Sequence, residues 1–203
     1  MPISRSQDIA VLRRMARRTA FMIAFAALGC NAATLSGRLD AGSRARLAAI
    51  SGNRTVWISL TGTVPLGDLP PLDGGRVLAR SGKTVLVEIP RGSLSRLAEV
   101  RHVESAVVWG DAVTGEKIEP ALRRDLVRAL DASPSPPPLT VIATFAGGAT
   151  DLDARIRAAG AEPRTVAGTV ATLHATPEAV FTLAQEIDLT ALRRPREIRN
   201  ADG

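Results

Sequence analysis

The chain of 203 residues holds one thiol, Cys30, and two imidazoles, His102 and His174. A lone cysteine can accept a covalent group, but it cannot form a disulfide within the chain. The two histidines lie far apart in sequence and do not combine with Cys30 into a zinc-ligand spacing. His102 precedes Val103 at a helix–strand corner and His174 falls on a strand; both read as solvated surface residues. Asp68 with Asp73, and Asp151 with Asp153, come nearest to paired carboxylates, yet they fit turn and cap positions. Serines are plentiful, but no Gly-x-Ser-x-Gly elbow occurs. Gly74-Gly75 and Gly147-Gly148 read as turns, not as a phosphate loop. The expectation is a chain that is not an enzyme and takes no metal or other cofactor.

Cys30 gains meaning from what precedes it. Residues 1–29 have the layout of a secretion signal, with a basic region ending at Arg17 and Arg18 and an apolar run from Ala20 to Leu28. That run is shorter than the about 20 apolar residues a bilayer span needs. Met15 opens a tidier leader than Met1 and is a second candidate start. The run ends Ala27-Leu28-Gly29-Cys30, which resembles the lipobox of bacterial lipoproteins. The family prefers leucine three residues before the cysteine, where this chain has Ala27; Gly29 and Cys30 fit. The resemblance implies acylation at Cys30, export to the cell envelope and anchorage in a membrane, each buried methylene contributing about 0.8 kcal/mol. An ordinary signal cleaved nearby, for example after Ala32, is the alternative.

The composition bounds the rest. Hydrophobic residues make up 45% and aromatics only 3%, with no tyrosine, so a core must be built from Ala, Val, Leu and Ile. The net charge of +6 includes Arg5, Arg13, Arg14, Arg17 and Arg18 of the leader; the remainder is close to neutral and gives no electrostatic reason to invoke nucleic acid.

An internal repeat organises the remainder. Arg38-Leu39-Asp40 and Lys117-Ile118-Glu119 lead into similar helical segments; Thr55–Leu60 matches Thr140–Phe145 at an offset of 85; Gly82, Val87, Leu94, Leu97 and Val103 match Gly168, Leu173, Val180, Leu183 and Leu189 at 86. Ser133–Pro138 insert a Pro-rich spacer between the copies. Each copy predicts a leading helix (Gly42–Ile50, Pro120–Leu130) and then β-α-β-β-α-β, an antiparallel sheet with helices on one face. Pro70 and Pro71 make the first helix of copy one a turn or a degenerate helix. Residues 37–110 and 139–196 are expected as the two units, 111–138 as a linker carrying a helix, and 197–203 as a tail.

Strand alternation assigns faces. Val56, Ile58, Leu60, Val85, Val87 and Ile89 point toward the helices of copy one, and Trp57, Leu86, Glu88 and Val107 point away. An outward tryptophan beside aliphatics is a contact patch, either for a partner or for copy two and its leading helix.

Gly82-Lys83-Thr84-Val85-Leu86-Val87-Glu88-Ile89-Pro90, followed by Leu94, Leu97 and Val103, resembles the propeptide of subtilisin-like proteases. Copy two is similar through Val141–Phe145, Gly160-Ala161-Glu162 and Pro177-Glu178-Ala179. The resemblance covers residues 37 to 196 and implies two ferredoxin-like units. In that family the helix-free face of the sheet packs on the enzyme and the C-terminal tail enters the substrate cleft, a place that Arg193, Arg194 and Arg196 would take here. No protease follows in this chain, so the implied role is binding in trans, as an inhibitor or folding helper. A structural envelope lipoprotein with no protease partner is the alternative.

Overall fold

The structure, a computed structural model, describes residues 37–195 apart from 53, 68, 70–73, 98 and 148–150. The fold is mixed α and β, with two four-stranded antiparallel sheets. The first half comprises α1 (Ala41–Ala49), β1 (Thr55–Gly62), β2 (Arg76–Ser81), β3 (Thr84–Pro90), a 3-10 turn (Arg91–Ser93) running into α2 (Leu94–Leu97), and β4 (Val103–Asp111). The second comprises α3 (Ala112–Glu116), α4 (Pro120–Ala132), β5 (Leu139–Phe145), α5 (Leu152–Ala158), β6 (Glu162–Ala167), β7 (Val170–Ala175), α6 (Pro177–Ala184) and β8 (Leu189–Arg193).

Local chemistry sets the boundaries. Asp40 accepts from the Ser43 N–H and starts α1, Asp111 accepts from the Thr114 N–H and starts α3, and Thr176 caps α6 with Pro177 behind it. Gly82 and Gly168 turn the β2–β3 and β6–β7 hairpins at φ +44 and +59, where a side chain would be strained. Gly160 follows α5 at φ +82 as a left-handed C-terminal residue. Asp151 takes the N-cap position of α5 at φ +69 without a side-chain cap bond. Among the described residues between β1 and β2 there is no helix.

The sheet orders are β2-β3-β1-β4 and β6-β7-β5-β8, the same sequence of strands in each half. The agreement extends to detail. A bulge between Val77 and Ala79 is matched by one between Pro163 and Thr165, and a shift at Thr61/Gly62 by one at Thr144/Phe145. Leu39 bridges Ala106 in parallel, and Ile118 bridges Leu192 in the same way. The ladders correct one offset. Trp57 faces Glu88 while Thr140 faces His174, and Ser59 faces Leu86 while Ile142 faces Thr172, so β1 corresponds to β5 at 83 residues, not 85. The two-residue difference preserves the faces, because strand side chains alternate with a period of 2.

Two apolar clusters form. One joins Val56, Ile58, Leu60, Val85, Val87 and Ile89 to Leu94 and Leu97 of α2, with Leu47 of α1 packed against it. The other joins the opposite face of the first sheet (Trp57, Ala79, Leu86, Trp109) to Leu122, Leu126 and Val127 of α4, Phe181 of α6 and the helix-side residues of the second sheet. The layers therefore run α1 and α2, first sheet, α4 and α6, second sheet.

Candidate interaction surfaces

The face that carries Trp57, Leu86, Glu88 and Val107 is internal. Trp57 is 1% and Leu86 0% exposed, so the expectation of an open contact patch is corrected for both. The physical reason lies in α4, whose proline-started amphipathic turn sequence sets Leu122, Leu126 and Val127 on one side. That stripe needs an apolar surface, and the first sheet offers one. Of the two occupants foreseen for this face, copy two with its leading helix is the one found.

The contact is specific as well as apolar. Phe181 stacks on Trp109 with ring centroids 4.2 Å apart, and Trp57 meets Phe181 edge-on at 6.4 Å. The Trp109 indole N–H donates to Ser59 Oγ at 3.0 Å. The Trp57 indole N–H donates to Glu88 at 3.0 Å, and the same carboxylate takes two bonds from Arg76. Arg123 lies over the Trp57 ring at 4.7 Å. Burial, and then the nearby Arg76, pull the Arg123 pKa below the ordinary arginine value. Val107 is half-buried and packs against the same cluster.

The second sheet differs in one respect: among the described residues no helix packs on its other face. β1 is buried on both sides at residues 56–60, whereas β5 alternates, with Val141, Ala143 and Phe145 buried and Ile142 and Thr144 half-buried. The residues that replace Trp57, Ser59, Ala79, Leu86 and Val107 on this open face are Thr140, Ile142, Thr165, Thr172 and Arg193. His174, in place of Glu88, is half-buried between Thr140 and Glu162. The covered helix-free face belongs to the first sheet, and the corresponding face of the second is the more open one. The distinguishing signal was there, since β3 is continuously apolar (Val85-Leu86-Val87) and β7 alternates.

Arg193 and Arg194 end β8 beside a surface recess of ≈ 410 Å³ that also involves Glu116, Lys117 and Glu119. Arg194 is partly neutralised: its N–H donates to Glu119 and its guanidinium lies 3.6 Å from Asp125. Arg193 is exposed, with no ion pair among the described residues. Cys30 and Arg196 lie outside the described residues. His102 is exposed at φ +65. Asp153 pairs with Arg157 at 2.9 Å. Among the described residues no three His, Cys, Asp or Glu gather as a metal site, and no helix is long and apolar enough to cross a membrane.

Comparison with protein families, curated proteins and solved structures returns no match for this chain.

Proposed function

We propose that the protein is a non-catalytic, exported lipoprotein, anchored through an acylated Cys30, that binds a partner protein through the helix-free face of its second sheet. The observation that carries this reading is the asymmetry between the sheets. The first uses its helix-free face to hold the molecule together, and the second leaves the corresponding face, Thr140, Ile142, Thr165, Thr172 and Arg193, without a cover among the described residues.

Each half is read as a ferredoxin-like unit. The repeated strand order, the matching bulges and the matching leading bridges support this, and the second half carries both of the expected helices. The partner we propose is a subtilisin-like protease, bound in trans as by an inhibitor or folding helper, with Arg193, Arg194 and Arg196 leading toward its cleft. This part rests on the propeptide resemblance and on the correspondence of faces.

The test is binding of the membrane-extracted chain to a panel of subtilisin-like enzymes that includes those from its own genome. Ile142→Arg and Thr172→Arg should abolish binding while leaving the unfolding midpoint nearly unchanged, because both positions face outward. Absence of any binding or inhibition at micromolar concentration would remove the protease. The threonines of the open face, which suit water, then favour the second reading: a structural envelope lipoprotein. Pull-down from membranes would in that case return envelope components and no protease.

A further inference from the structure

The charge of the first half is concentrated. Segments 37–54 and 91–102, which make α1, the turn after it, α2 and the corner before β4, contain seven arginines against only Asp40 and Glu99. Arg38, Arg46 and Arg91 donate to the backbone carbonyls of Val100, Val108 and Ile50, contacts that orient these side chains without neutralising them. Arg44 and Arg101 are exposed and have no ion pair among the described residues. Arg54 is paired with Asp111, and Arg46 lies 4.0 Å from Glu178.

The fold does not demand this charge. The corresponding segments of the second half, 117–132 and 177–188, hold four basic residues against six acidic ones. The two halves share strand order and leading bridge, so the sign at these positions is free to serve something else. Placement narrows what that is. Leu94 and Leu97 put α2 on the side of the first sheet opposite to α4 and α6. The described residues begin at Gly37 at this end, with Leu39 bridged to the β4 edge. Six residues lie between Cys30 and Gly37, so the span from one to the other is at most about 25 Å.

We propose that the arginine-rich side formed by α1, α2 and their flanking turns rests on an anionic lipid surface. Guanidinium groups match phosphate oxygens in geometry and charge, and clustered arginines close to a membrane attachment are drawn to acidic headgroups. The attraction fades over about 8 Å at physiological salt, so a short tether is what brings the patch into range. The proposal deepens the anchored reading and rests on it for that tether. It also gives the molecule a direction: the first half lies on the bilayer, and the open face of the second sheet is held away from it.

The experiment is hydrogen–deuterium exchange of the full chain, extracted from membranes and reconstituted on phosphatidylcholine vesicles with and without phosphatidylglycerol. Peptides covering 41–50 and 91–102 should exchange several-fold more slowly on the anionic vesicles, and high salt should erase the difference. Peptides covering 162–167 should not respond. Arg44→Glu with Arg101→Glu should remove the protection, and the Gln pair, which disturbs α1 less, should weaken it; far-UV circular dichroism confirms that each variant is folded. Equal exchange on both vesicle types, or protection that survives charge reversal, overturns the proposal. So does capture of an acidic protein in place of any lipid response. An intact mass without acyl groups on Cys30, combined with salt-sensitive protection of the arginine-rich peptides, would sink the anchor and support the patch.

Discussion

At the scale of single residues, the centre of the molecule is crowded around Trp57. Its indole N–H is held by Glu88, Arg123 covers its ring, and Gly115 of α3 sits against the ring with no room for a methyl group. Replacing Gly115 by alanine forces either the indole or α3 to move. Overpacking of this kind costs about 1–3 kcal/mol; urea titration should show a lower midpoint with an unchanged slope. A second residue-scale effect concerns acid. Asp40 has its pKa lowered, chiefly by the Ser43 N–H. In Asp111 burial pulls the pKa up, and bonds from Thr114 and Arg54 outweigh it, leaving it lowered as well. A depressed folded pKa means stabilisation that is complete above the unfolded value, about 3.9, and lost as pH falls through the folded values. The unfolding midpoint should therefore decline below about pH 4, and Asp40→Asn with Asp111→Asn should flatten that decline. An undiminished slope in the double variant would assign the acid sensitivity elsewhere.

At the scale of elements, α4 decides the architecture. Its Leu126 is fully buried between the first sheet and α6. Leu126→Ala should cost about 2–5 kcal/mol, whereas Thr172→Ala on the open face of β7 should stay within about 0.5 kcal/mol; guanidinium titrations of the two variants give the comparison. The strands and the amphipathic helices were legible in the sequence because their periodicity is local: β1 and β5 begin within one residue of Thr55 and Thr140, where alternation puts them, and β1 runs two residues past Leu60 to Gly62. The β1–β5 offset was misread because Thr55-Val56 and Thr140-Val141 look alike, and only the ladder partners Glu88 and His174 fix the register. α3 was missed since five residues, Ala112–Glu116, carry too little periodic signal. Which occupant would cover Trp57 was also beyond the local pattern. An outward tryptophan shows that a strand face needs a cover, but the cover here comes from α4 and from Phe181, 124 residues further along.

At the scale of the whole molecule, the two halves are expected to have no independent existence. One cluster runs from Trp57 and Leu86 in the first sheet through α4 and α6 to Val141, Ala143 and Leu173 in the second. Interfaces between domains that merely dock are more polar; this one contains both tryptophans of the chain. Tryptophan emission reports the seam and far-UV circular dichroism reports both sheets, so the two signals should fall together in a single transition. A fragment ending at Glu116 should fail to fold as a monomer, because Trp57, Leu86 and Trp109 would face water without α4 and Phe181, and an apolar patch of that kind promotes association. Should that fragment instead give a soluble monomer with the midpoint of the full chain, the seam would be contact without cooperation. The second half could then act alone, and the first half would no longer fix the direction of its open face.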